Sequence, residues 1–316
     1  MIPGSLFLLP EQSKTAFLSV ILATLSVEKQ DNTHKSGNHI NLLPKQNLML
    51  LTVDVGNSHT VSGVFSGQDL LHQWRLKSDR DKTADELAIR YHSLFQMNGI
   101  EKEDITAFIV CSVVPTLETS WLNFAEKYLT GCSTPPISVS HKTNTGIIIR
   151  IENPAEVGAD RIVNAVAAWQ HYKTALLAID FGTAVTFDCV SKKGEYLGGT
   201  IHPGIGISLD ALAGKTAKLP RIDLNRNPMP VIGTNTVDAI CSGMLHGFGG
   251  MIDRMTALLR QEMQQEDEVV NIIATGGMAE MIAPYCSSIK TIDPLLTLTG
   301  LRLIYELNRE NHNGSA

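Results

Sequence analysis

No G-x-x-x-x-G-K-[ST] loop occurs in this chain of 316 residues, which excludes a P-loop kinase. No H-E-x-x-H and no metal-type cluster of Cys and His is present, which excludes a zinc protease and a structural zinc site. No G-x-S-x-G elbow marks a hydrolase nucleophile. The nearest approach to a dinucleotide fingerprint is GIGISL from Gly204, and it does not follow the strand that such a fingerprint requires. The cysteines Cys111, Cys132, Cys189, Cys241 and Cys286 are scattered, with no C-x-x-C pair. They read as reduced, mostly core thiols of a cytoplasmic protein. A basic excess is also missing. The net charge of −6 argues against a nucleic-acid partner. The apolar-rich run at residues 16–27, AFLSVILATLSV, falls short of the roughly 20 residues that span a bilayer, so no membrane partner is expected.

What is present is the composition of a globular enzyme. Apolar content of 43% against 18% charged residues describes a chain that folds around cores rather than a disordered one. Its length suits about two domains. The first 48 residues differ from the rest. After the apolar run comes the polar stretch EKQDNTHKSGNH, and only Lys14 precedes the run, unlike the basic start of a secretory signal. Residues 1–48 therefore read as an extension outside the fold, and Met49 as a candidate start of translation.

Two stretches of the chain are versions of one another: VDVGNSHTVSGVF from Val53 and AIDFGTAVTFDCV from Ala178. Superposing Asp54 on Asp180 puts them 126 positions apart (180 − 54). Each is a hydrophobic strand that enters an Asp-x-Gly turn, passes small polar residues and returns as a second β-rich run. Two such hairpins imply two related lobes facing one another across a cleft. An Asp in this place can hold a metal ion. The Gly lets backbone come close to a ligand. Hydroxyls, amides and free turn N–H groups can hold phosphate oxygens.

Strand patterns fall at residues 50–55, 60–66, 105–112, 147–151, 176–179 and 269–274. Helical patterns fall at 83–97, 117–129, 161–172, 237–260 and 298–308, the first opened by a Thr83–Glu86 capping box. Strands and helices alternate in both halves, so the fold class is α/β. A further segment, IIATGGMAE from Ile272, is a strand running into adjacent glycines at a helix start. That arrangement leaves room for a flat ring or a phosphate, although a plain tight turn explains it too.

The two Asp-Gly hairpins followed by this T-G-G turn resemble the phosphate and adenosine segments of the acetate/sugar kinase–Hsp70–actin superfamily. Shorter segments narrow the resemblance: ENPAEVGADRIVNA from Glu152, GTIHPG from Gly199 and GTNT from Gly233. Together with DVGNSHT and DFGTA they closely resemble type III pantothenate kinase, from Met49 to about Asn308. The resemblance implies two actin-like, ribonuclease H-like lobes with a central cleft, at residues 49–172 and 173–312. It implies a cytoplasmic homodimer that uses ATP and Mg²⁺ to phosphorylate pantothenate. Two other readings stay open: a non-catalytic accessory protein of the Baf type, and a superfamily kinase for another small alcohol.

Site residues follow from the resemblance. Asp160 of G-A-D-R corresponds to the catalytic base, although its place at a helix start suits simple capping equally well. Gly158, Ala159, Asp160 and Arg161 correspond to the pantothenate site. Asp54 corresponds to the carboxylate that organises Mg²⁺ with ATP. Asp54, Val55, Gly56, Asn57, Ser58, His59, Thr60 and Val61 form the corresponding ATP hairpin, with Thr183 as the ATP-contacting hydroxyl of the second. For Asn57 and Ser58, ordinary turn chemistry is the alternative. Asp180 corresponds to the ligand of a monovalent cation, K⁺ or NH₄⁺, or else satisfies backbone amides at a strand end. Thr236 corresponds to a pantothenate contact beside the partner subunit, or else caps the helix that follows. The apolar residues Met244, Leu245, Phe248, Met251 and Ile252 of that helix suggest a subunit seam, unless they belong to the core of their own lobe. In one place the chain departs from the family: Ile151 stands where a substrate-contacting Tyr is usual, so a phenolic hydrogen bond is missing.

Overall fold

The computed structural model describes residues 49–224, 230–263 and 269–313. The extension read over residues 1–48 lies outside the described residues. The first sheet is built from β1 (Met49–Val55), β2 (His59–Ser66), β3 (Asp69–Lys77), β4 (Ala107–Ser112) and the short β5 (Ile137–Ser138), in the order β3-β2-β1-β4-β5. β1 pairs antiparallel with β2 and parallel with β4. Helices α1 (Ala84–Met97) and α2 (Pro115–Tyr128) cover one face. There Tyr91, Phe95, Trp121 and Phe124 pack together with Phe108 and the apolar side chains of β1. The expected capping box is present: Thr83 Oγ1 accepts from the Glu86 amide, and the Glu86 carboxylate accepts from the Thr83 amide.

The second sheet repeats the plan. Its strands are β6 (Ile148–Ile149), β7 (Leu176–Phe181), β8 (Ala184–Val190), β9 (Glu195–Pro203) and β10 (Asn271–Thr275), in the order β10-β7-β8-β9-β6. The repetition reaches the irregularities. Register slips between Val64 and Phe65 in the first sheet and between Cys189 and Val190 in the second, within one position of each other when the two hairpins are superposed. Helices α4 (Ile205–Lys215), α5 (Thr236–Met263) and the short α6 (Ala279–Ile282) belong to this half.

Helix α3 (Ala159–Tyr172) serves both sheets. Ala159, Val163 and Val166 pack with Ile109 and Cys111 of β4, whereas Ala165, Ala167 and Ala168 pack with Leu176 and Ala178 of β7. The C-terminal helix α7 (Leu296–Asn313) returns to the first sheet, where Leu298, Leu301 and Ile304 meet Leu50, Phe65 and Ile109. Packing therefore crosses the sequence division at residues 172 and 173. β6, from the first half, closes the second sheet, and α7, from the second half, closes the first.

Four elements carry no clear sequence pattern: β3, the two-residue β5, β9 and α4. β3 alternates between exposed and half-buried side chains at a sheet edge, so its polar residues hide its strand character. β9 carries Gly198 and Gly199, which lower β propensity. On α5 the expected subunit seam is corrected. Leu245 and Ile252 are fully buried, and Met244, Phe248 and Met251 pack on the same cluster, with Ile179, Phe181 and Phe187 of the sheet. An apolar face this complete is used within its own lobe. The opposite side is open: ideal Cβ atoms at Gly243 and Gly247 meet nothing within 4 Å.

Candidate active site

The equivalent strands β1 and β7 end at the two Asp-Gly turns, and α3 points its first turn between them. Asp54 stands opposite Cys111 of β4, and the Cys111 thiol donates to Asp54 Oδ1 at 3.4 Å. Asp180 stands opposite Thr275 of β10, and its Oδ2 accepts from Asn164 Nδ2 of α3 at 3.1 Å. Asn164 is in turn held by Thr297 Oγ1 at 2.8 Å, at the start of α7. Asp160 is the second residue of α3; the N-cap position belongs to Gly158, so the simple capping reading does not describe it. Its Oδ1 accepts the Arg161 amide at 2.8 Å, which it shares with the Gly158 carbonyl at 3.1 Å.

The three carboxylates share one electrostatic environment. Burial, followed by the charges of Asp160 and Asp180, pushes Asp54 up to about 8, against the pull of the Cys111 thiol and Arg75. Burial, followed by Asp160 and Asp188, pushes Asp180 up to about 7. Burial also raises Asp160, opposed by the amide and guanidinium of Arg161. Yet each keeps some accessible surface. Asp188 does not: it is fully buried on β8. It binds Arg161 Nε at 2.7 Å and the Tyr196 hydroxyl at 2.7 Å.

Carboxylates thus outnumber the guanidinium in this cluster, and such an arrangement favours bound cations. Among the described residues no three His, Cys, Asp or Glu side chains form a self-sufficient metal cage. That suits Mg²⁺, which takes one or two carboxylates and completes its shell with phosphate oxygens and water. Asp54 fits this role. Asp180, with only oxygen donors to offer, fits a hard monovalent cation.

The hairpin turns meet across the cleft, where Ser58 Oγ and Thr183 Oγ1 lie 2.8 Å apart. In the first turn the Gly56 amide donates to His59 O at 3.1 Å, and Asn57 Oδ1 accepts from Arg80 at 3.0 Å. His59 Nδ1 lies 3.3 Å from an Arg75 nitrogen; burial and that guanidinium lower its pKa. Val55 and Thr60 turn their side chains into the lobe, Thr60 onto Ser78 at 2.9 Å, and Val61 packs on the core. Those three can offer a ligand only backbone. Beside Asn57 lies an open cavity of ≈ 470 Å³ lined by Lys77, Asp79, Arg80, Lys82 and Arg90. Lys82 is paired with Asp79 and Glu86, and the remaining cations make the mouth of this hairpin attractive to phosphate.

The T-G-G turn is fuller than its sequence suggests. Gly276, at φ 92°, leaves out the Cβ that would strike Asp180 Oδ1, and a Cβ on Gly277 would lie 2.6 Å from the Arg75 guanidinium. The glycines make room for a carboxylate of their own lobe and a guanidinium of the other. Thr236 begins α5 on the surface. Asn235 caps that helix, accepting from the Asp238 amide at 2.9 Å, so the capping alternative for Thr236 is set aside. Thr236 makes no hydrogen bond to the residues gathered above. Ile151 packs in the apolar cluster around Tyr196. The roles of Cys111, Asn164, Asp188 and Arg75 carry no local signature in sequence. Only strand register and the passage of α3 between the sheets bring them in.

Comparison with known proteins agrees with this geometry. The sequence model for type III pantothenate kinase matches residues 50–258. A type III pantothenate kinase of Desulfotalea psychrophila is 49% identical over 258 residues, covering 81% of this chain and 97% of that protein. One from Moorella thermoacetica is 45% identical over 260 residues, covering 82% of this chain and all of that protein. Among solved structures, MreB 5 of Spiroplasma citri bound to AMPPNP superposes with a TM-score of 0.53 at 10% identity, over 85% of this chain and 99% of that one. At that identity the likeness speaks for the actin-like fold alone. Among the described residues no helix is long and apolar enough to cross a membrane.

The carboxylate cluster sets a stability expectation. A carboxyl whose folded pKa is raised above its unfolded value near 4 holds its proton more tightly when folded. Its contribution is full at low pH and is lost as pH rises through the folded value. Without cations, thermal stability should fall from about pH 4 to about 8, following Asp180 and then Asp54. Asp54→Asn should raise the melting temperature at pH 8.5 by a few degrees and flatten the decline while abolishing turnover. Parallel melting curves for the variant and the parent chain would contradict this account. Fold, hairpins and sequence matches together place the chain in the type III pantothenate kinase family.

Proposed function

We propose that this chain transfers the γ-phosphoryl group of ATP to the 4′-hydroxyl of pantothenate, yielding 4′-phosphopantothenate and ADP, the first step of coenzyme A synthesis. The observation that carries the reading is the convergence of Asp54, Asp160 and Asp180, from β1, α3 and β7, on one cleft. Phosphoryl transfer needs a positioned hydroxyl, a proton acceptor and cations against the charge of the transferred group. Asp160 accepts the proton as the hydroxyl attacks phosphorus. Its raised pKa stabilises the protonated form that the step produces. Arg161 holds the substrate beside Asp160, with Gly158 and Ala159 forming the adjoining wall. Asp54 would hold Mg²⁺, and Asp180 K⁺ or NH₄⁺; these cations supply neutralisation of phosphate charge. Ser58, Thr183 and the turn amides bind phosphate oxygens, and the cation-lined cavity draws the nucleotide to the first hairpin.

The assembly belongs to the same reading. Leu197, Ile201, Ile207, Val231 and Ile232 are exposed around β9, α4 and the approach to α5. Thr236 and the open glycine side of α5 follow Val231 and Ile232 in the chain. A two-fold contact through these surfaces makes a dimer in which Thr236 completes the partner's substrate site.

Three measurements test this. In Asp160→Asn, kcat should fall by roughly 10²–10⁴ while the melting temperature near neutral pH holds or rises, since a raised carboxylate is removed from the cluster. The assay is coupled ADP release with pantothenate and a panel of small alcohols; a faster alcohol overturns the substrate, and near-normal turnover overturns the base. Activity should be low in sodium-only buffer and recover with K⁺ or NH₄⁺; equal rates in all three remove the cation site. Light scattering should show a dimer, and Gly247→Leu should dissociate it and lower activity. A fully active monomer at assay concentration rules out a shared site.

A further inference from the structure

Among the described residues Asp188 is the one carboxylate near the cleft with no accessible surface: its side chain is 0% exposed, against 15% for the Arg161 side chain it binds. A buried carboxylate is costly unless its oxygens are satisfied. Here they are. Oδ1 accepts from Arg161 Nε and from the Tyr196 hydroxyl, each at 2.7 Å, and Oδ2 accepts from Thr186 Oγ1 at 3.3 Å. Arg161 is held at a second point, Nη2 donating to Phe187 O at 3.4 Å. The Tyr196 ring lies beneath the guanidinium, 5.9 Å from Cζ. Gly199 lies against the Phe187 carbonyl that accepts from Nη2: a Cβ there would strike Phe187 O and lie 3.2 Å from Nη2 itself.

A guanidinium has five N–H donors in a fixed plane. The inner edge of this one is committed to β8. The terminal nitrogens keep further donors, in a fork that matches a carboxylate. Arg161 follows Asp160 directly on the first turn of α3, so that fork opens beside the base. We propose that Asp188, assisted by Tyr196, is a positioning residue that orients Arg161 to receive the carboxylate of the substrate, and so sets preference for an anionic over a neutral acceptor. This rests on the kinase reading above. It also explains how the chain works with Ile151 in place of a phenol: direction comes from the far side of the arginine rather than from a second substrate contact.

The test compares pantothenate with its neutral alcohol analogue, pantothenol, on the full chain. Asp188→Asn keeps shape and loses charge; Tyr196→Phe removes a single hydroxyl. For Asp188→Asn, kcat/KM for pantothenate should fall roughly 10–100-fold, the size of a charge-assisted hydrogen bond, chiefly through KM. The value for pantothenol should change less than about threefold, and KM for ATP should hold. Tyr196→Phe should shift the ratio the same way by less. Equal losses on both acceptors, or a raised KM for ATP, would show a merely structural carboxylate and overturn the proposal. If Asp188→Asn does not fold, an unchanged ratio in Tyr196→Phe overturns it. No turnover of pantothenate by the unaltered chain overturns the kinase reading itself, and the positioning role with it.

Discussion

Everything in the cleft depends on one helix being thin enough to lie between two sheets. α3 meets the first sheet with Ala159, Val163 and Val166 and the second with Ala165, Ala167 and Ala168. Small side chains set the separation, since interiors packed at crystal-like density transmit any added volume as a shift of backbone. α7 crosses the helix just as closely: a Cβ on Gly300 would lie 2.7 Å from Val163 Cγ1. The result is a rigid rod whose first turns carry Asp160, Arg161 and Asn164. Each reaches a different part of the two lobes. A bulkier residue on either face would displace all three together.

That rigidity allows an unfavourable arrangement of charge to persist. Burial raises the proton affinity of Asp54, Asp160 and Asp180. The charges of Asp160 and Asp180 raise Asp54 further, that of Asp160 raises Asp180, and nothing in the described residues neutralises all of them. A relaxed chain would move the carboxylates into water. Here strand register, the Cys111 thiol and the Asn164–Thr297 pair hold them in place. The site is thus poised for cations before any arrive, the kind of pre-set electrostatics on which phosphoryl transfer relies.

Much of this was legible in the residues. The paired Asp-Gly hairpins announced two related sheets, and the sheets repeat down to the slip at Val64 and at Cys189. Asp54, Asp160 and Asp180 could be singled out because each sits in a short motif where the chain changes direction. What stayed hidden was set by tertiary packing. β9 looks unlike a strand because Gly198 takes a positive φ of 104° and Gly199 lies against the Phe187 carbonyl of β8, demands that exist only once the two strands are paired. The apolar stripe on α5 could not be assigned to the core or to a subunit contact from periodicity, since both require the same pattern. Asp188 reads as an unremarkable strand residue until Arg161 is seen to reach it.

The hydroxyls of Ser58 and Thr183 join the tips of the two hairpins by a single hydrogen bond. A nucleotide whose phosphates lie between those tips has to part them, and the protein's own contact then behaves as a weak competitor occupying the same place. Apparent affinity is reduced by the fraction of time the tips stay together. The contact therefore weakens such binding by a constant factor, and a variant without either hydroxyl would be relieved of it.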